Sequence, residues 1–222
     1  MSKALSLLET TVGKKVVMAL SGLVWFGFAL AHMAGNLQVF LGAEVYNNYS
    51  VGLHAMPELL WLARTILFVA FVLHVGTAMR LVTQSAAARP VPYRKVARRK
   101  ASFAGLTMIF SGLTLLFFVL YHLAHFTFPG VAMGAYEHQH YTMVYSNFVN
   151  GFSIPWVVAL YVAAMISLGL HIYHGSVSLF QSLGVSHPRR NAAIRQGAQF
   201  FALIITVGNI ILPLSVLLGL VR

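Results

Sequence analysis

Six histidines of this 222-residue chain stand inside long apolar stretches, where ionisable side chains are rare. A neutral imidazole in such a setting can bind a metal, relay a proton or donate a hydrogen bond between helices. Carboxylates usually accompany a proton relay, yet the chain has ten histidines, four Glu and no Asp. The pattern therefore favours metal binding by imidazole. The six histidines are His32, His74, His122, His125, His171 and His174.

The other four histidines fall between the apolar stretches, where a solvated or headgroup-level side chain is expected. They are His54, His138, His140 and His187. The chain contains no cysteine, which excludes disulfides, thiol nucleophiles and iron–sulfur clusters held by its own residues. Histidine is therefore the residue type that carries the chemistry.

Five apolar stretches must position these histidines. Only 9% of the residues are charged and the mean hydropathy is +0.78, whereas a soluble domain has roughly 25% charged residues. Each stretch is long enough for a helix that spans a bilayer, and no linker or low-complexity tract divides the chain. We therefore predict an all-α integral membrane bundle in a single domain, residues 1–222. Its five transmembrane helices are predicted at about 16–35, 58–83, 101–128, 152–183 and 197–221.

The net charge of +11 is explained by membrane topology and does not require a nucleic-acid partner. Basic residues gather in three segments, namely Lys3, Lys14 and Lys15, the stretch 89–100 and the stretch 189–195. The loops between helices 1 and 2 and between helices 3 and 4 contain no Lys or Arg. The positive-inside rule then predicts a cytoplasmic N-terminus and an external C-terminus. The first 15 residues are interpreted as a cytoplasmic lead-in and not as a signal peptide.

Depth in the membrane sorts the histidines into two pairs. His32, His74 and His171 each lie 16 or 17 residues after the Lys or Pro that opens their helix, about 24–26 Å along it. His122 also lies late in its helix. Because successive helices run in opposite directions, the two pairs are predicted at two depths. We call His32 and His122, near the outer face, the distal pair, and we call His74 and His171, near the inner face, the proximal pair.

An internal repeat relates the first and third helices. Residues 21–34 read SGLVWFGFALAHMA and residues 111–124 read SGLTLLFFVLYHLA, which agree at 7 of 14 positions. The repeat aligns Ser21 with Ser111, and it aligns His32 with His122 and not with His125. It therefore supports the distal pair.

Two imidazoles that face each other inside a helical bundle suit the axial positions of a haem iron, an arrangement that serves electron transfer. Structural zinc would require four nitrogen or sulfur ligands in one place, which two pairs at two depths do not offer. Helix packing through hydrogen bonds is the alternative reading of any single histidine. For four histidines at matched depths, we predict that each pair binds one haem iron.

Four further residues lie close to the predicted ligands. His125 and His174 each follow a ligand by three residues, and we assign them to hydrogen bonds with haem propionates or a quinone. Ser21 and Ser111 lie about 16 Å from the distal histidines by helical rise, near the depth of the proximal pair. Their hydroxyls are predicted to meet a propionate, and a hydrogen bond back to their own helix is the alternative.

The full pattern resembles the five-helix, di-haem cytochrome b membrane-anchor subunit of succinate:quinone oxidoreductases, which include succinate dehydrogenases and fumarate reductases with a single anchor chain. The resemblance covers about residues 14–220. Its most specific segments are AHMAGNLQVF with His32, VLHVGTAMRLV with His74, VLYHLAHFTF with His122 and LHIYHGSVSLFQSLG with His171.

The resemblance implies two b haems, the distal one on the distal pair and the proximal one on the proximal pair, in a bacterial cytoplasmic membrane. It also implies an iron–sulfur subunit and a flavoprotein subunit on the cytoplasmic face, with electrons passing from succinate to menaquinone or ubiquinone. The chain has no flavin motif and no dicarboxylate site. It would therefore transfer electrons without oxidising succinate itself.

The sequence departs from the family in the acid that some members use at a quinone or proton site beside the distal haem. Only Glu44 and Glu58 lie in the corresponding segment. Glu58 is the better placed of the two for a quinone site, and the alternative is an acid that complements the helix dipole. Two other functions remain open, namely the cytochrome b anchor of another quinone-linked dehydrogenase and a histidine-based proton or metal transporter.

Overall fold

A computed structural model describes residues 9–88, 102–128 and 141–222. This part of the chain is helical and contains no strand. The helices are α1 (Thr11–Asn36), α2 (Ala43–His54), α3 (Pro57–Ala87), α4 (Phe103–Leu106), α5 (Met108–Phe126), α6 (Val144–Phe152), α7 (Pro155–Ser182) and α8 (Pro188–Leu217), and a 3-10 turn, Leu37–Leu41, follows α1.

Five helices in the described part of the chain are long and apolar enough to cross a membrane, which confirms the predicted all-α bundle of five spans. They are α1, α3, α5, α7 and α8. Large apolar side chains cover their outward faces, as Trp61, Phe68 and Phe117 illustrate at 63%, 68% and 66% exposure. A surface this apolar suits lipid. The protein is a multi-pass membrane protein.

The last span begins well before its predicted start at Gly197. Pro188 opens α8, where its missing N–H is not needed. The side chain of His187 caps the helix by accepting a hydrogen bond from the backbone N–H of Arg189 at 3.3 Å. The basic first turns of α8 therefore extend the helix beyond its apolar segment, where a hydropathy pattern has no signal.

Two other spans are shorter than predicted. Thr107, with φ −96° and ψ 6°, separates the single turn α4 from α5, so the long third helix begins at Met108. At the other boundary, Ile154 has an extended backbone because Pro155 follows it. The fourth span therefore begins at Pro155 in α7 and not at Phe152, which ends the separate helix α6.

The helices form a bundle around α1 and α7. Helix α1 packs against α3 and α7, and α7 also packs against α5 and most extensively against α8. Helix α3 lies at the periphery, because Ala70 and Thr77 are its only buried residues. The bundle therefore contains two equivalent helix pairs, α1 with α3 and α5 with α7, which meet where α1 contacts α7.

Helices α2 and α6 pack against each other over one end of the bundle, and we call them the cap. Within the cap, Tyr46 is 7% exposed and donates a hydrogen bond to Oδ1 of Asn36 at 2.6 Å. Burial raises the pKa of Tyr46 above its ordinary value. Phe148 and Phe152 complete an apolar core beneath the cap. The segments predicted as loops between spans 1 and 2 and between spans 3 and 4 thus contain the helices α2 and α6. These helices cover the end of the bundle nearest the distal pair.

Several predictions concern residues outside the described part of the chain. They include Lys3, the basic stretch 89–100, His138 and His140. The predicted orientation depends largely on these basic residues and therefore stays a prediction.

Candidate functional site

The structure brings together the two histidines of each predicted pair. The ring centroids of His32 and His122 lie 5.8 Å apart, and those of His74 and His171 lie 6.1 Å apart. Along α1, His32 lies 11 residues beyond Ser21, which contacts the proximal pair. The two pairs are therefore separated by about 16 Å along the bundle, roughly half the thickness of a bilayer core.

Neither pair comes from two closely packed helices. Helices α1 and α5 carry the distal pair, yet α1 packs mainly on α3 and α7, and α5 packs mainly on α7. Helices α3 and α7 carry the proximal pair, and they pack mainly on other helices as well. Each pair therefore joins helices that lie across the bundle from each other. His32 is exposed, and His74, His122 and His171 are half-buried.

The proximal histidines have the same neighbour from each half of the repeat. Nδ1 of His74 lies 3.4 Å from the hydroxyl oxygen of Ser21, and Nδ1 of His171 lies 3.3 Å from that of Ser111. Nδ1 of His74 also lies 3.1 Å from the carbonyl oxygen of Met18. A carbonyl oxygen can only accept, so Nδ1 of His74 carries the proton and its Nε2 presents a lone pair.

Both serines use their hydroxyl protons within their own helices. Ser21 donates to the carbonyl oxygen of Val17 at 2.7 Å, and Ser111 donates to that of Met108 at 3.0 Å. Each hydroxyl oxygen is then left to accept from a histidine Nδ1–H. This geometry favours the alternative of hydrogen bonding to the same helix and leaves no hydroxyl proton for a propionate.

Glycines lie directly beside the proximal rings. A Cβ atom on Gly22 would stand 3.1 Å from Cε1 of His74, and one on Gly112 would stand 3.6 Å from Cε1 of His171. The first distance is shorter than an ordinary van der Waals contact, so α1 can approach His74 this closely because residue 22 has no side chain. Glycine thus sets how near the helix comes to the ring.

Aromatic side chains hold the distal histidines. Phe28 stacks on His32 with centroids 5.2 Å apart, and Phe118 stacks on His122 with centroids 5.7 Å apart. The hydroxyl of Tyr161 lies 3.1 Å from Nδ1 of His122. His122 therefore resembles the proximal histidines in having an oxygen beside Nδ1.

The donor set and the ring spacing fit an iron bound between two imidazoles. Such an iron, with metal–nitrogen bonds of about 2.0 Å, holds the ring centroids roughly 6 Å apart. Metal-binding histidines usually donate their second ring N–H to an oxygen, as His74 does to Met18. Within the described residues, no three His, Cys, Asp or Glu side chains come together to hold a metal ion. Each pair would therefore give a metal ion two protein ligands.

The internal repeat between residues 21–34 and 111–124 aligns residues that contact the histidines, as well as His32 with His122. At four of its seven shared positions, the residues make equivalent contacts in both halves, namely the Ser, the Gly, the Phe and the His. The Gly and Phe contacts were not predicted, although each is visible as an identity between 21–34 and 111–124. Tyr161 was also missed, because it lies in a different span and shares no motif with the histidines.

His125 is enclosed in the core near the cap, at 1% exposure. Its Nδ1 lies 2.9 Å from the hydroxyl of Tyr161, and its ring lies against Gly151, where a Cβ would stand 3.2 Å away. An enclosed side chain has no access to a quinone in the membrane. The structure therefore favours a role for His125 within the protein.

His174 lies at the opposite end of the bundle from the cap and lines a cavity of about 290 Å³. Ser102, Gln181 and Arg195 also line this cavity and give it polar and basic character. Glu58 lies in the first turn of α3 with an exposed side chain. His174 thus has access to a bound group, and Glu58 has the placement expected of an acid that complements the helix dipole.

The two remaining described histidines lie away from both pairs. His54 ends α2 and stacks on Tyr141 with centroids 4.5 Å apart, and His187 caps α8.

Comparisons with known proteins give no match, because no family model fits the chain and no curated protein or solved structure is significantly similar to it. The function must therefore be argued from the two histidine pairs.

Proposed function

We propose that this protein is the membrane-anchor cytochrome b subunit of a succinate:quinone oxidoreductase. The observation that carries the proposal is the meeting of four histidines as two pairs, with ring centroids 5.8 and 6.1 Å apart. A haem bound at each pair would supply one-electron redox chemistry. The distal pair would hold one haem b and the proximal pair the other.

The residues around each pair would fix the imidazoles. Ser21, Ser111 and Tyr161 place an oxygen beside a ligand Nδ1, which leaves Nε2 as the metal ligand. Phe28 and Phe118 stack on the distal rings and reduce their freedom to rotate. Ligands held in this way keep one geometry in both oxidation states, which suits electron transfer.

Position along the bundle supports a path across the membrane. The pairs lie about 16 Å apart along α1, so two redox centres would cover roughly half of the bilayer core. In this proposal, an iron–sulfur subunit and a flavoprotein subunit dock at the cytoplasmic end near the proximal pair, and menaquinone or ubiquinone exchanges electrons with the anchor. The cavity beside His174 is the proposed place for a propionate or quinone contact.

A reduced-minus-oxidised visible spectrum of the purified protein tests the proposal. We expect a b-type haem band and two haems per chain. His74→Ala or His171→Ala should remove one haem, and His32→Ala or His122→Ala should remove the other. His54→Ala is the matched control, because this histidine lies outside both pairs and should leave both haems bound.

Three results would contradict the proposal or its parts. A purified chain without a b-type band would overturn haem binding. Loss of the same haem in the His74→Ala and His32→Ala proteins would overturn the pairing. Co-purification of a flavoprotein and an iron–sulfur protein is expected of a succinate:quinone oxidoreductase, and other partner subunits would indicate the anchor of another quinone-linked dehydrogenase.

A further inference from the structure

Tyr161 joins a predicted haem ligand to a histidine that binds no iron in the proposal. Its hydroxyl lies 3.1 Å from Nδ1 of His122 and 2.9 Å from Nδ1 of His125. Its side chain is 5% exposed, and its ring packs edge-on against Phe118 and Phe152 with centroids 4.9 and 4.8 Å away. The phenol is therefore held in place between the two imidazoles.

The one hydroxyl proton of Tyr161 determines the direction of the hydrogen bonds that join His122, Tyr161 and His125. If Nε2 of His122 binds iron, its Nδ1 must carry the ring proton and donate to the Tyr161 oxygen. The Tyr161 hydroxyl then donates its proton to Nδ1 of His125, which accepts as a neutral imidazole. The chain of donation runs in one direction, from His122 through Tyr161 to His125.

We propose that Tyr161 is a positioning residue that fixes the tautomer of His122, links it to His125 and thereby sets the reduction potential of the distal site alone. The inference rests on the proposed function, because it requires a haem at the distal pair. It assigns His125 to this hydrogen-bonded chain. The role differs from the propionate or quinone contact expected from its spacing.

The direction of the effect follows from the bond at Nδ1. An oxygen that accepts from Nδ1–H makes the imidazole a more basic ligand, which stabilises the oxidised iron and lowers the reduction potential. Donation onward to His125 makes the phenol oxygen a better acceptor, because hydrogen bonds in a chain polarise one another. The proximal pair has serine hydroxyls at Nδ1 and no contact with Tyr161 among its described hydrogen bonds.

The test is a potentiometric titration of both haems in the purified protein carrying Tyr161→Phe, which removes one oxygen and keeps the ring. We expect the reduction potential of the distal haem to rise and that of the proximal haem to stay unchanged. The control is Tyr121→Phe on α5, because the buried Tyr121 hydroxyl has no hydrogen-bond partner in the described part of the chain. This control should shift neither haem.

A second variant, His125→Leu, removes the far acceptor and leaves the phenol. It should shift the distal potential upward by less than Tyr161→Phe does. If Tyr161→Phe fails to bind the distal haem, His125→Leu decides alone, and an unchanged distal potential in it overturns the inference. An unchanged distal potential in Tyr161→Phe, or a shift of the proximal haem, also overturns it. A wild-type protein without b haem would instead defeat the proposed function.

Discussion

At the scale of single residues, the site is defined by what lies beside Nδ1. His74, His171 and His122 each have an oxygen within 3.4 Å of that nitrogen, from a carbonyl and serine, a serine and a tyrosine respectively. These oxygens come from neighbouring helices. Each of these three predicted ligands is therefore oriented by a helix other than its own, whereas His32 stacks on Phe28 of its own helix.

Substitution of Gly22 tests whether haem binding at the proximal pair requires the close approach of α1 to His74. A Cβ at residue 22 would stand 3.1 Å from Cε1 of His74, so Gly22→Val should displace the ring and prevent haem binding at the proximal pair. We expect the haem content to fall from two per chain to one. Gly27→Val on the same helix is the matched control, because nothing lies within 4 Å of a Cβ at that position.

Measurement of haem per chain for the two variants settles this prediction. Two haems in the Gly22→Val protein would mean that the His74 ring can move without losing its ligand role. Equal loss in both variants would indicate a general effect of valine in α1. Loss of one haem in Gly22→Val alone would support the close approach of α1 to the proximal ring.

At the scale of elements, hydropathy predicted the five spans because each is a long apolar run, and the order of the helices then followed. The pairing of the histidines could be predicted from helix length and direction, together with the internal repeat that selects His122 over His125. The early start of α8 at Pro188 could not, because a capped helix that continues into water has no hydropathy signal. Tyr161 could not be predicted either, because a tyrosine in an apolar span is ordinary until a histidine lies beside its hydroxyl.

At the same scale, the hydrogen bond between the cap and α1 predicts how a substitution in the cap changes stability. Tyr46 on α2 donates to Asn36 at the end of α1, so Tyr46→Phe should destabilise the protein by about 1 kcal/mol at neutral pH through loss of a buried hydrogen bond. Tyr145→Phe is the control, because its hydroxyl bonds an exposed carbonyl, that of Arg222. Thermal unfolding in detergent, followed by circular dichroism, measures both.

The difference in stability between wild type and Tyr46→Phe should depend on pH, and its direction follows from the pKa of Tyr46. Burial raises the pKa of Tyr46 in the folded state, so the folded protein binds more protons than the unfolded chain above the ordinary tyrosine pKa of about 10. The contribution of Tyr46 to stability is present in full below about pH 10 and is lost as the pH rises from there. The stability difference between wild type and Tyr46→Phe should therefore shrink above pH 10, and a constant difference would contradict the burial of this hydroxyl.

At the scale of the whole molecule, the cap, the start of α7 and the end of α8 lie at one end of the bundle. Tyr145 in the cap donates to the carbonyl oxygen of Arg222 at 3.0 Å, which ties α6 to the residues after α8. The distal pair lies nearest this end, because His125, one turn beyond His122, packs against Phe152 of α6. Orientation in the membrane therefore decides which pair faces the cytoplasm.

Labelling of single cysteines tests the orientation independently of haem, and the absence of cysteine from the chain gives a clean background. Four exposed residues at or just beyond helix ends serve as sites, namely Ala55, Ala87, Ser153 and Ser186. With the basic segments inside, Ala55→Cys and Ser153→Cys should react with a membrane-impermeant maleimide in intact cells, and Ala87→Cys and Ser186→Cys only after permeabilisation. The reverse pattern would place the distal pair on the cytoplasmic side and move the proposed docking face to the cap. Equal labelling of Ala55→Cys and Ala87→Cys in intact cells would contradict α3 as a membrane span.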